Sequence, residues 1–491
     1  MKWLALILLL FVALPAGATD YLCVMVGGTL TSGPSTSGIG VFGWDPAFCY
    51  GDIRDALAQM TPGSQLWIDD GTYQTSISVR TALAGTPDAY TVIRARNPGQ
   101  VTLRMDSFAV VHVRDTSYVE IMGIRVTLCG DLPFYVQNSA YVKMVRCCWS
   151  MKTGLTSMGA HHVLWEDCYA WGGPLRYPFQ ASKGAHHVIY RRCLVRWDYS
   201  NIAEPLACFA SYTCDNIYYQ NCVSVDGIDN RGVDHTYDGL KSFFTPNGST
   251  DCHYVGCLSI AMTGAAGWWV EGPTAQGSLT DCVSWNHHTD AGDSSDTYKP
   301  YTFASTADFG SWDLLHCTFG KNDYGIHPMY FDRSNRESMR GCIIYGMELK
   351  DGEYAVSQNL DDGDWNLYFN NTGNRNRVGT IGESSVVADP KLLGMGVPTI
   401  AWGYLSEVGI GARVIYKIGR DGSLFGDEGW QENTGELLWP WPYEDQIKAD
   451  CASFHMEPGE AYPGSPLMDG TRGFCGRWMS LSYYLLTGGG N

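Results

Sequence analysis

One stretch of the chain concentrates groups able to do chemistry. VSVDGIDNRGVDHTYDGLKSFF (223–244) holds Asp226, Asp229, Asn230, Arg231, Asp234, His235, Asp238 and Lys241. So many carboxylate and amide oxygens in one loop suit Ca²⁺, a hard cation that takes about six to eight oxygen ligands. Lys241 opens an alternating apolar run three residues after Asp238. A lysine can abstract a proton only when neutral, so a neighbouring cation, bound Ca²⁺ or Arg231, would have to lower its pKa. The same residues also fit an Asx-turn-rich loop with a solvated lysine, or a hydrolase using two of the aspartates.

Four other features carry chemical potential. Lys183 in FQASKG, and Trp268, Trp269 and Glu271 in WWVEGP, sit on runs equivalent to that of Lys241 and would line a sugar-binding groove. His161-His162 and His186-His187 recur at one repeat position, as a solvent-facing ladder or a metal site. Asp290, Asp293 and Asp296 offer a second acidic loop for Ca²⁺. Trp402, Trp430, Trp439 and Trp441 lie in a Trp/Pro-rich block that reads as a cap or as a carbohydrate-contacting surface.

The element that must position these residues is a repeat. YVKMVRCCWS, HVLWEDCYAW, HVIYRRCLVR, NIYYQNCVSV, CHYVGCLSI, SLTDCVSW, DLLHCTFG and MRGCIIYG each run through alternating apolar residues to a cysteine. The aligned positions are Cys147, Cys168, Cys193, Cys222, Cys257, Cys282, Cys317 and Cys342, with gaps of 21, 25, 29, 35, 25, 35 and 25 residues. YVEIMGIRVT fits the frame with Ile124 in the cysteine slot. A second series of short alternating runs (134–139, 179–184, 208–213, 241–246, 268–273, 302–307, 330–335) lies between them, separated by Gly, Asn, Asp and Ser. Several short strands per period, with no helical pattern between them, predict an all-β chain folded as a parallel β-helix.

The segment before the repeat reads as a cap: DIRDALAQM (52–60) is a short amphipathic helix, followed by PGSQLWIDDGTYQ and TVIRARNPGQVTLRM. This order resembles the opening of right-handed parallel β-helix proteins of the pectate lyase-like superfamily. ADPKLLG (388–394) and GSPLMDG (464–470) resemble closing motifs of the same proteins. The resemblance implies a carbohydrate-active protein. DGLKS (238–242) is similar to the site of β-helix polysaccharide lyases, which implies Lys241 as proton abstractor and Asp238, with Asp234 or Asp226, as Ca²⁺ ligands. No arginine occurs between Cys257 and Asp281 to serve as the usual neighbouring cation.

Composition bounds the partners. Glycine and proline together are 78 of 491 residues, and the formal net charge is −18. That charge argues against nucleic acid, whose phosphates require clustered Lys and Arg. Calcium would bridge an acidic protein to an acidic polysaccharide. Residues 1–18 (MKWLALILLLFVALPAGA) have the basic start, short apolar run and small-residue end of a secretory signal peptide. No later stretch approaches membrane length, so export to the periplasm, cell surface or medium is expected. The expected layout is signal peptide 1–18, β-helix with cap 19–395 and C-terminal capping region 396–491. Seventeen cysteines cannot all pair within one chain. Stacked ladder cysteines have parallel Cβ vectors that suit disulfides poorly, so buried thiols are expected, with Cys208–Cys214, Cys23–Cys49 and Cys451–Cys475 as candidate bridges. The functional expectation is a Ca²⁺-dependent lyase, with Lys241, Arg231 and His235 catalytic and Asp226, Asp229, Asp234 and Asp238 on the metal. The alternatives are a non-catalytic polysaccharide-binding or surface β-helix, and a glycoside hydrolase.

Overall fold

The computed structural model describes residues 20–23, 49–150, 152–171, 177–199, 207–229, 240–246, 248–260, 265–272, 274–285, 302–306, 311–320 and 416–438. Shorter pieces lie at 287, 329–331, 337–347, 356, 360–362, 366–369, 371, 385–387, 446–447 and 450. The strands form three all-parallel sheets of 14, 13 and 10 strands, in which each strand pairs with its equivalents in the coils before and after. One coil runs His161–Glu166 in the first sheet, Tyr169–Trp171 in the second and Phe179–Ser182 in the third, and the next begins at His186. This is a right-handed parallel β-helix, the hand that parallel crossovers take almost without exception.

What reads in sequence as one strand ending in cysteine is two strands meeting at a corner. A residue with left-handed backbone precedes each ladder cysteine: Arg146, Asp167, Arg192, Asn221, Gly256, Asp281, His316 and Gly341, with Gly123 before Ile124. The turn brings the cysteine to the interior at the start of the second sheet. Its carbonyl then accepts from the next coil, as in Leu194 N→Cys168 O (2.9 Å) and Val223 N→Cys193 O (2.8 Å). Each thiol points back to a carbonyl of the preceding coil, for example Cys168 to Met144 O (3.3 Å) and Cys222 to Tyr190 O (3.2 Å). Burial pushes the thiols of Cys147, Cys168, Cys193, Cys257, Cys282 and Cys342 well above their usual pKa.

Every cysteine with a described side chain is a free thiol, Cys208 and Cys214 included. The expected bridge between those two fails because Cys208 stands near the start of the extended strand Ala207–Tyr212 and Cys214 lies beyond its end. The four strand steps from Cys208 to Tyr212 span about 13 Å, already beyond disulfide reach. Cys23 has only its backbone described, and Cys451 and Cys475 lie outside the described residues, as do residues 1–18.

Two aromatic stacks fill the core beside the thiols. Tyr190, Tyr219 and Tyr254 stack at 5.0 and 4.7 Å between ring centroids. Phe179, Phe209, Phe243 and Trp268 stack at 5.1, 5.0 and 4.8 Å. A coil-to-coil spacing of about 4.8 Å is the ring-stacking distance, so identical slots favour identical ring types. The capping helix Ile53–Gln59 turns Ile53, Ala56 and Leu57 into the same core, and Asp52 caps it by accepting from Arg54 N at 2.7 Å.

The described part of the C-terminal region lies on the flank of the helix rather than across its end. Tyr416–Ile418 and Asn433–Leu437 form a small antiparallel pair, and residues 416–432 dock on the outer face of the first sheet. The anchor is a buried ionic cluster. Arg191 donates to Glu166 (3.0 Å), Gln220 (2.8 Å) and the carbonyls of Arg420 (2.6 Å) and Trp430 (3.1 Å). Arg192 donates to Asp167 (2.6 Å) and Asp421 (2.8 Å), and Glu166 accepts from Gly422 N (2.9 Å). Asn221 reads the strap's backbone in both directions, from Ile418 N (2.7 Å) and to Tyr416 O (3.2 Å). Trp430 packs on Tyr218 and Phe425 (4.7 and 4.5 Å), holding the strap down.

Candidate functional site

The coils vary in length mainly at one corner. The chain returns from third to first sheet in a few residues, as from Ser182 to His186 and Tyr212 to Asp215. The links from second to third sheet are long: Trp171 to Phe179, Tyr199 to Ala207, Asp229 to Leu240 and Trp285 to Phe303. These links all leave from the corner at which the strands of the third sheet begin, and segments that join the strands of a rigid scaffold are common carriers of function.

Lys241 is the second residue of Leu240–Thr245, directly after one of these links, and is in register with Ala207 and Ala266. Phe244 is in register with Ala210 and Trp269. These side chains lie on the outer face. Ala207, Ala210 and Phe244, with Tyr177, Tyr212 and Trp269, form an apolar cluster separate from the core. The Lys241 amine stands 4.9 Å from the Phe244 ring centre and 5.2 Å from that of Trp269. Trp269 donates its indole N–H to Glu271 (3.1 Å), and Tyr177 and Tyr212 share a hydroxyl hydrogen bond of 2.8 Å. Toward the N-terminal end the outer stripe continues in register through Gln180, Leu155, Tyr135 and His112, and the last two rings stack at 4.8 Å.

Against the expected groove, the structure unites Lys241, Trp269 and Glu271 and separates the other two. Trp268 is 0% exposed and stacks on Phe243 inside the core, so it cannot meet a ligand. Its direction follows from Gly267, where a side chain would come within 2.3 Å of Ser284 Oγ in the interior. Gly267 and Trp268 both face inward at a bend, and alternation then sends Trp269 and Glu271 outward. Lys183 sits in the left-handed turn (φ 52°) at the opposite edge of the sheet, its N–H bonded to Tyr212 O (3.1 Å). A strand's length, about 20 Å, separates that edge from the corner of Lys241. Lys241 itself is 1% exposed, so it is not the solvated lysine of the Asx-turn-rich loop reading.

Asp226 and Asp229 lie on Val223–Asp229 in the second sheet, but their side chains fall outside the described residues. Arg231, Asp234, His235 and Asp238 lie wholly outside them, as do Asp290, Asp293 and Asp296. Among the described residues no three His, Cys, Asp or Glu side chains converge on a point that could hold a metal ion. Phe244, Tyr212 and Tyr177 are site-face residues missed by the sequence reading. For Phe244 alternation gives the wrong partner: it puts Phe243 on the face of Lys241, and only the bend at the buried Ser242 turns Phe244 to the lysine's side.

No family model matches the chain, and no curated protein matches it. Solved structures do. A crystal structure of pectate lyase Pel9A aligns at 13% identity over 70% of this chain and 79% of its own, with a TM-score of 0.42. A rhamnogalacturonan lyase aligns at 11% identity over 85% and 97%, TM-score 0.44. An endo-xylogalacturonan hydrolase from Aspergillus tubingensis aligns at 11% identity over 75% and 99%, TM-score 0.33. These are proteins of parallel β-helix type, and the fold of this chain stands on its own three sheets.

Proposed function

We propose that the protein is an exported carbohydrate-active β-helix that holds an acidic polysaccharide along the outer face of its third sheet and cleaves it by β-elimination, with Lys241 as base. The observation supporting this reading is the meeting of Lys241, Phe244, Trp269 and Glu271 on that face, beside the corner from which the insertions leave. Aromatic faces suit the C–H surfaces of sugar rings, and a carboxylate oriented by an indole N–H suits their hydroxyls. The coil repeat of about 4.8 Å is close to the length of one sugar unit, so an extended glycan would meet equivalent positions on successive coils. In elimination from a uronate, the base takes the proton beside the carboxylate. The C–H electron pair becomes the new C=C bond, and the glycosidic oxygen leaves.

Calcium enters the proposal through the sequence: Asp226, Asp229, Asp234 and Asp238 are its ligand set. Bound there, Ca²⁺ would neutralise the substrate carboxylate. The described side chains alone form no such site, so no step is assigned to the ion. Export enters through residues 1–18; no described helix is long and apolar enough to cross a membrane.

A second reading, binding without catalysis, is favoured by the 1% exposure of Lys241. A base that stays covered cannot reach a sugar. One experiment separates the readings: mature protein incubated with a panel of polyuronates, with and without Ca²⁺. Ultraviolet absorbance of an unsaturated product that disappears in Lys241→Ala supports elimination. Reducing ends without that absorbance mean hydrolysis. Retention on a polysaccharide column with no product means binding alone.

A further inference from the structure

Two consecutive-histidine pairs stand one above the other on the outer face of the first sheet, far from the third-sheet stripe. His161 and His162 bring Nδ1 to within 2.9 Å of Nδ1, and His186 and His187 do so at 2.6 Å. His161 stacks on His186 at 4.9 Å and His162 on His187 at 5.0 Å. Consecutive strand residues ordinarily point to opposite faces. Here the second histidine of each pair has a left-handed backbone, φ 51° at His162 and 55° at His187. The turn swings both rings to one side with their Nδ1 atoms facing. The left-handed slot belongs to the fold, since Tyr118, Tyr141, Asn216 and Asp251 occupy it on other coils. The facing nitrogens belong to the His-His sequence alone.

We infer that each pair is a two-nitrogen chelate for a divalent cation of tetragonal preference, Cu²⁺ or Ni²⁺. With metal–imidazole bonds of about 2.0–2.1 Å, nitrogens 2.9 and 2.6 Å apart subtend roughly 90° and 80°. Those are neighbouring positions of a square or octahedron. Tetrahedral Zn²⁺ would need the nitrogens about 3.3 Å apart. In each pair the same contact is an N–H···N hydrogen bond, so a bound ion would take the place of the shared proton. The rings stack instead of converging, and among the described residues no third His, Cys, Asp or Glu side chain joins a pair, so water or a ligand's own donor would fill the remaining positions. Phe425 packs edge-on against His187 (4.3 Å) and His162 (6.1 Å), fixing the rings from the side of the strap. Asp215 is in register with His186 on the next coil, which puts a negative charge beside the lower pair. The first ion therefore goes to His186/His187. The second, one coil away from a like charge, binds more weakly.

The test is titration of the mature protein, stripped with chelator, with Cu²⁺ alone, followed by calorimetry and electron paramagnetic resonance. Wild type is expected to take two ions in unequal steps, with nitrogen hyperfine splitting. His187→Gln removes the tighter step, weakening first-ion affinity at least tenfold, and His162→Gln/His187→Gln removes both. The reciprocal His161→Gln/His186→Gln gives the same loss, which guards against a folding effect of one variant. Equal Cu²⁺ uptake by wild type and both double variants, with unchanged circular dichroism, overturns the assignment. So does a wild-type signal without nitrogen splitting.

Discussion

Trp268 and Trp269 are neighbours in sequence with opposite duties, and replacing each by alanine separates the core from the candidate site. Trp268 is fully buried, stacked on Phe243 at 4.8 Å with its edge toward Tyr254 at 6.3 Å. Truncating a buried tryptophan removes its transfer energy and leaves a cavity that a stacked repeat closes poorly, costing about 3–5 kcal/mol. For a chain of this length, with an unfolding entropy of about 1 kcal/mol/K, that corresponds to a thermal midpoint lowered by roughly 3–5 °C. Trp269 is half-buried on the outer face. Its loss removes one hydrogen bond to Glu271 and one of two rings beside the Lys241 amine, about 1–2 kcal/mol together. The same change deletes the largest ring of the outer stripe, so affinity for a retained polysaccharide should fall tenfold or more, about 1.4 kcal/mol. Trp269→Phe should recover part of it. Thermal melts by circular dichroism and affinity electrophoresis in polysaccharide gels measure the two quantities. Equal destabilisation by both substitutions would refute the inward and outward assignment. Unchanged glycan retention in Trp269→Ala would refute the placement of the binding face.

Other consequences follow from the same packing. Glu166→Gln leaves Arg191 and Arg192 buried with reduced compensation, so a loss of about 3–5 kcal/mol is expected, and hydrogen exchange should show residues 416–438 losing protection first. The ladder thiols should resist alkylation in the native protein and react fully in denaturant; rapid native labelling of Cys193 or Cys257 would contradict their burial. Burial, then the neighbouring charges of His161, His187 and His186, lowers the His162 pKa to about 4. The unfolded chain, with His near 6.5, therefore gains a proton that the native state refuses, and stability from neutral His162 is lost as pH falls from about 6.5 toward 4. With chelator present, the melting advantage of wild type over His162→Gln should shrink across that window. A difference independent of pH would count against the depressed pKa.

The coil frame is legible in the sequence because a β-helix repeats its environment. Each ladder cysteine meets the same left-handed corner and the equivalent carbonyl of the preceding coil, so one residue type recurs and alignment finds it. The capping helix was equally legible, since Asp52, Ile53, Ala56 and Leu57 satisfy cap and core by local spacing alone. Facing was harder. Period-two alternation says that Trp268 and Trp269 point oppositely, and Glu271 on the side of Trp269 marks that side as outward. The inward Gly267 that anchors the phase shows itself only where Ser284 approaches from another coil. Nothing local announces that Lys241 is covered, that Lys183 sits a strand's length from it, or that residues 416–432 close over Glu166 and Arg191. Those are contacts between segments up to 256 residues apart. The repeat fixes where the walls stand. Which side chains meet across a wall depends on insertions and on a strap that do not repeat, and there only the tertiary structure decides.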